Sequence, residues 1–255
     1  MKRLIFDPQA KRNFRFVVEY DGTNYHGWQR QKGFITIQEV IEARLEIMLG
    51  QRVGIHGSGR TDSGVHARGQ VFSFATRTRL KADEFHRGLN SLLPDDVAIL
   101  RAEEVDTSFH ARFSARSKTY EYRILNRELP SPLERLYVWH IRRPLEREPM
   151  RECLRELIGE HDFAAFTASG CAANSTRRTM IEAELIEPDP DRIHFRFRAT
   201  GFLKHMVRNL VGTLVDVGVG RTQPDDFRNI FSGKDRRRAG MTAPAHGLFL
   251  MEVEY

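Results

Sequence analysis

Residues 57 to 67 read Gly57-Ser58-Gly59-Arg60-Thr61-Asp62-Ser63-Gly64-Val65-His66-Ala67, a stretch that leaves one carboxylate among three glycines and an arginine. Working outward, Arg52 to His56 and Gln70 to Ala75 both read as strands, so Asp62 sits in the connection between them. Glycine permits backbone angles and a closeness of approach that other residues refuse, which opens the loop to a ligand at Gly59 and Gly64. Arg60 either pairs with the Asp62 carboxylate and keeps it ionised, or offers its planar fork to a phosphate. An isolated Asp-Ser-Gly would be a surface turn and nothing more; three glycines together with Arg, Asp and His ask for more explanation.

Further out, the pattern becomes a fold. Phe14 to Tyr20 is strand-like, and Thr36-Ile37-Gln38-Glu39 is a capping box that opens an amphipathic helix running to about Leu49. After the loop come a helix from Ala82 to Leu93, stopped by Pro94, and a strand from Val97 to Val105. This β-α-β-β-α-β series predicts a ferredoxin-like half with helices on one face of an antiparallel sheet. The style repeats in strand Thr119 to Asn126, helix Pro149 to Ile158, strands Met180 to Glu187 and Ile193 to Thr200, helix Lys204 to Val217 and strand Phe249 to Glu254. The expected fold is therefore α+β: two α/β halves, residues 1–110 and 111–255, with their sheets side by side and an active-site cleft between them. Residues 127–148, rich in Pro and Arg, read as a connection.

Composition narrows the function classes. With 255 residues, 40% hydrophobic and 29% charged, the chain can bury a sizeable core. The net charge is +6, and 33 of the 40 basic residues are Arg, which suits RNA and equally fits a biased use of Arg over Lys. Cys153 and Cys171 form no CxxC pair and fit a reducing cytoplasm. Met1 to Arg12 has no apolar core of a signal peptide, and Leu210 to Val219 is too short and interrupted for a membrane span.

Phosphate-loop, dinucleotide and hydrolase signatures all fail around the Asp62 loop. Gly64 is followed by Val65-His66 where a phosphate loop needs Lys-Ser/Thr, a dinucleotide fingerprint would need Gly at Asp62, and Ser58 and Ser63 sit in no nucleophile elbow. Neither ATP nor NAD is expected, and no metal: His56, Asp62 and His66 would form a site only if the loop folded back on itself.

The loop resembles the signature of the TruA-type tRNA pseudouridine synthases, S-G-R-T-D-A-G-V-H-A, departing from it only at Ser63. Four further stretches resemble that family's motifs in order: Asn24-Tyr25-His26-Gly27-Trp28-Gln29, Phe113-Ser114-Ala115 with Lys118-Thr119-Tyr120-Glu121-Tyr122, Gly201 to Leu210, and Ala243 to Leu248. The resemblance implies an isomerase that turns uridine into pseudouridine in the anticodon stem-loop of tRNA, at positions 38 to 40, with no cofactor and as a homodimer. It implies Asp62 as nucleophile or base, Arg60 and Arg208 as its charge partners, and Tyr120 stacked on the target base. Gly59, Gly64, His66, Trp28 and Phe202 are the accompanying substrate contacts, although residues as large as Trp28 and Phe202 are more often core. In the last long helix Gly201, His205, Arg208 and Gly212 share a face; Arg208 there is either solvated or paired with Asp62, and the resemblance implies the pair. The run Lys234 to Arg238 reads as a solvated loop. The competing class is a tRNA-binding or RNA-chaperone module that kept the architecture without the chemistry.

Overall fold

The computed structural model describes residues 11–170 and 173–255; Cys171 and the first ten residues of the Met1 to Arg12 segment lie outside the described residues. The protein is a mixed α/β chain whose strand pairings are mostly antiparallel, with five α-helices among the described residues. It divides into two compact units, the first ending at Ala115 and taking in Tyr255, the second spanning Arg116–Glu254.

The first unit runs β1 (Arg12–Tyr20), α1 (Ile37–Leu49), β2 (His56–Gly57), β3 (His66–Thr76), α2 (Ala82–Leu92) and β4 (Val97–Val105). Its sheet has the order β4-β1-β3-β2, with antiparallel neighbours throughout. Phe14, Phe16 and Val18 alternate along β1 with no exposed surface, as a strand with one buried face requires. Phe14 lies opposite Phe74 and Phe16 opposite Phe72, and the Phe16 and Phe72 rings stack at 4.7 Å. Phe85 of α2 meets Phe14 edge-on at 5.0 Å, while Ile37, Ile41 and Leu45 close the core from α1. Each such side chain contributes about 1.5–3 kcal/mol by leaving water.

Two expectations fail here for a visible reason. The strand expected at Arg52 to His56 shrinks to His56–Gly57 because side chains of α1 take the backbone groups that a ladder would have used. Glu42 Oε1 accepts the Ile55 N–H at 3.1 Å, and Gln38 Nε2 donates to the Ile55 carbonyl at 3.3 Å. On the other side, β3 starts at His66 rather than Gln70. The start of α1 follows the capping pattern, with Thr36 accepting from the Glu39 amide.

The second unit runs β5 (Ser117–Asn126), β6 (Trp139–Ile141), α3 (Arg147–Arg155), β7 (Gly159–Asp162), β8 (Arg177–Asp189), β9 (Arg192–Ala199), α4 (Met206–Gly218), α5 (Pro224–Gly233) and β10 (Leu248–Glu254). Its strand order is β10-β5-β9-β8-β7, antiparallel, with β6 added parallel to β5. Tyr122 pairs with Phe195 and Ile124 with Ile193; all four are fully buried, as are Leu210 and Leu214 of α4. Helix α3 begins two residues before Pro149, a first-turn position where the missing N–H has no helical partner to lose. Helix α5 was not expected, although Gln223-Pro224-Asp225-Asp226 carries a start signal: proline in the first turn and two acids at the positive end of the helix. β6 occupies part of the segment read as a plain connection.

Candidate active site

Asp62 owes its position to a hydrogen-bonded loop. Ser58 donates its amide to Val71 O at 2.7 Å and its hydroxyl to Gln70 Oε1 at 2.6 Å. Gln70 in turn donates to Gly59 O at 3.0 Å. Next to the acid, the buried Thr61 hydroxyl meets Tyr20 OH at 2.7 Å, and Thr61 O accepts the Trp28 amide at 3.1 Å. The Asp62 carbonyl then closes a turn on the Val65 amide at 3.2 Å, with Gly64 at φ 75° in the third position, where a type II turn needs a positive φ. The carboxylate is thus carried on a rigid backbone, half-buried, between an inward Thr61 and an exposed Ser63.

The segment beneath this loop is the stretch around Trp28. Trp28 is 1% exposed and forms the floor of the loop. A Cβ on Gly57 would lie 2.3 Å from Trp28 Nε1, and one on Gly27 would lie 2.4 Å from Thr61 O, so both positions admit only glycine at this closeness. Gly64 N and Ser63 Oγ both donate to Tyr25 O, at 3.3 and 3.2 Å. His66 is 2% exposed, with Nδ1 3.0 Å from Asp21 Oδ1 and 3.1 Å from Gly22 N. Trp28 and His66 accordingly act from below the loop, as supports for its backbone.

Arg60 does not pair with Asp62. Its exposed guanidinium donates Nε to Gln29 Oε1 at 3.2 Å. The inward anchoring of Thr61 leaves Arg60 on the solvent side over the Trp28-Gln29 segment, where an exposed ion pair would gain less than about 1 kcal/mol.

The second unit assembles another set of groups. Tyr120, 7% exposed, meets Phe202 edge-on at 4.9 Å. Arg208 stands in the first turn of α4 and donates Nε to Ala243 O at 2.8 Å, while the Ala243 amide returns a bond to the Arg208 carbonyl at 3.1 Å. Tyr122 OH donates to Pro244 O at 2.7 Å, and a Cβ on Gly247 would lie 2.7 Å from Tyr122 Cζ. Burial lifts the Tyr122 phenol far above its ordinary range, against the pull of the nearby Arg208 cation. Burial, followed by the same cation, holds His246 below the usual histidine value. The helical face expected to run from Gly201 through His205 is corrected: α4 begins only at Met206, because His205 takes a left-handed φ of 61°. Such strain in a non-glycine residue persists only where its surroundings hold it in place.

The loop bearing Ala243 is itself pinned to α4. Asn209 is fully buried, donates to Phe166 O at 2.8 Å and accepts from Arg236 Nη2 at 3.0 Å and from Thr242 Oγ1 at 2.7 Å. Gly240 N donates to Thr213 Oγ1 at 2.9 Å. Arg236 also donates to the carbonyls of Ala239 and Gly240, and its neighbours pair with acids, Lys234 with Asp162 and Arg237 with Asp235. Arg236 is therefore a clamp on this loop, while Lys234, Arg237 and Arg238 stay exposed as a solvated run does. Among the described residues no group of His, Cys, Asp or Glu has metal-holding geometry.

The profile described as tRNA pseudouridine synthase matches residues 16–114 and 153–255. The chain is similar to tRNA pseudouridine synthase A of Thermoanaerobacter pseudethanolicus, 48% identical over 244 residues, covering 96% of this chain and 100% of that protein. It is similar to the protein of the same name from Geotalea daltonii at 49% identity, over 96% of this chain and 100% of that one. Among solved structures, a Cbf5-Nop10-Gar1 complex aligns with a TM-score of 0.36 and 14% identity, over 98% of this chain and 60% of that one.

Proposed function

Because this chain belongs to the tRNA pseudouridine synthase family, and so isomerises uridine to pseudouridine in tRNA, we infer that Asp62 is the residue that performs the reaction. The isomerisation breaks the N1–C1′ bond, turns the uracil and rejoins it through C5; a proton leaves C5 and one is gained at N1. A carboxylate serves this in either of two ways: as a nucleophile on the ribose or nucleobase, or as a base that removes a ribose proton to leave a glycal. The observation that carries the assignment is the loop itself, which spends the amides of Ser58, Gly64 and Val65 and the carbonyls of Gly59, Thr61 and Asp62 on fixing the backbone around this one acid. A fixed backbone holds the carboxylate in the reacting geometry without cost at the moment of reaction.

The remaining roles follow from that placement. The target uridine leaves its stack to reach Asp62, Tyr120 offers its ring to the base, and Arg208, aimed by Ala243 O, is the cation of the reaction. Phe202 backs Tyr120 from the edge. Arg60 takes a phosphate of the same nucleotide or its neighbour. Gly59 and Gly64 let its backbone approach. We place the target in the anticodon stem-loop, at positions 38 to 40, and the working enzyme as a cytoplasmic homodimer that needs no cofactor or metal. The strand order β4-β1-β3-β2 and its counterpart β10-β5-β9-β8 support a reading of the chain as two ferredoxin-like halves.

The decisive experiment follows tritium release from C5-labelled uridine in tRNA. Asp62→Asn should abolish release while tRNA affinity stays within about threefold, since one charge is a small part of a wide basic footprint. Near-normal turnover in the Asn variant would overturn the assignment.

A further inference from the structure

Leading up to the Asp62 loop, the surface of the first unit carries a ladder of rings. His56, opening β2, lies 4.8 Å from His110, and His110 lies 4.5 Å from Phe113. The Arg112 guanidinium sits 5.6 Å from the Phe113 ring centre. Phe113 is 76% exposed. An exposed large aromatic gives its own fold almost nothing, because its apolar area stays in water.

The loop nevertheless holds that ring in one place. Ala111, fully buried, is tied by its amide to Ser73 Oγ at 3.1 Å. Ser114 N donates to His110 O at 2.9 Å, and His110 N donates to Ser114 Oγ at 3.1 Å. His110 Nδ1 accepts the amides of Arg112 and Phe113 at 3.1 and 3.4 Å, which fixes the ring's orientation. Burial first, then the neighbouring His56 and Arg112, keep His110 below its ordinary value, so near neutral pH it is an uncharged flat surface. Arg112 is exposed and meets no carboxylate at ion-pair distance among the described residues. Most other arginines of this unit's sheet are spent on acids, Arg12 on Glu104 and Arg15 on Glu103 among them.

We propose that the ladder of Arg112, Phe113, His110 and His56 is a second tRNA-contact site, at which an unpaired base of the substrate stacks on Phe113 while Arg112 takes the adjoining phosphate. The proposal rests on tRNA being the substrate. Single-stranded RNA is recognised where unstacked bases lie on aromatic rings beside arginine, and such stacking accepts any base. A preformed, outward ring with a cation at its side has that chemistry, whereas an apolar protein partner would leave Arg112 unanswered.

The test measures tRNA affinity of the full chain carrying Phe113→Ala and Phe113→Trp, together with ultraviolet cross-linking of the unaltered protein to tRNA. Phe113→Ala should weaken binding by about five- to a hundredfold, the span of one stacked base. The loss should fall on Kd and KM rather than on kcat, and Phe113→Trp should restore affinity. A cross-linked peptide containing Phe113 should be recovered. Unchanged affinity in the Ala variant overturns the proposal. So does a loss that sedimentation traces to separation of two copies, which would make Phe113 a contact between subunits. Failure of the unaltered protein to release tritium from tRNA would instead sink the function itself, before the ladder is reached.

Discussion

Asn209→Ala removes the residue on which the Arg208 support converges, and the structure sets the size of the effect. The side chain makes two neutral hydrogen bonds, to Phe166 O and from Thr242 Oγ1, and accepts one from the charged Arg236. At about 0.5–1.5 kcal/mol for each neutral bond and about 1.5–3 for the charged one, the loss comes to about 2.5–6 kcal/mol. Asn209 has no exposed surface, so the abandoned Phe166 carbonyl has no ready access to water. For a chain of this length each kcal/mol moves the melting temperature by about 2–4 °C, giving a fall of roughly 5–24 °C. Below that melting point a second effect should show. With Thr242 and Arg236 released, Ala243 O no longer aims Arg208, and kcat should fall about tenfold with little change in tRNA affinity. Arg236→Ala combined with Asn209→Ala should cost less than the sum of the two, because they share one bond. The assays are a calorimetric melt and tritium release under saturating tRNA. An Asn209→Ala protein that melts within about 2 °C of the parent with full kcat would refute the clamp.

Tyr120→Phe should stay active and Tyr120→Leu should lose about 1–3 kcal/mol of transition-state stabilisation if the ring is a stacking surface; equal loss of turnover in both would move the role to the hydroxyl. Gly57→Ala should cost about 1–3 kcal/mol by overpacking, because its Cβ would meet Trp28 Nε1 at 2.3 Å, and it should lower kcat more than affinity by shifting the start of the Asp62 loop. A melt and a rate unchanged from the parent would show that Trp28 yields freely. Cys153 is fully buried and its thiol is pushed up to about 12, first by burial, so it should resist alkylation at pH 8 until the chain unfolds; prompt labelling of Cys153 in the native state would contradict that packing.

The parts of this fold legible in the sequence are those governed by short-range rules. The alternation of Phe14, Phe16 and Val18 and the Thr36 cap follow from local chemistry, and both stand where the pattern puts them. What stayed hidden depends on partners distant in the chain. Nothing near Ile55 announces that Glu42 and Gln38 satisfy its backbone. The Asp62 loop stands out by its glycines, yet the glycines that let it pack tightly include Gly27, some thirty residues earlier, which contacts Thr61 O. Within the solvated run Lys234 to Arg238, nothing in the sequence marks Arg236 as the one that reaches Asn209. Arg60 was read from its nearness in sequence to Asp62, and its exposed side chain turned to Gln29 instead.

Tyr255 has a consequence for the order in which this protein is made. It belongs to the first unit, where its hydroxyl donates to Ala111 O at 2.8 Å, its ring lies 4.9 Å from Phe109, and Arg15 lies 5.3 Å from the ring centre. A ribosome that has released residues 11–115 has therefore delivered every described strand and helix of that unit but not the Tyr255 side chain, which arrives only with residue 255. Until then the nascent first unit lacks the contacts that Tyr255 makes with Ala111, Phe109 and Arg15. Its final ordering is thereby timed to the emergence of the other.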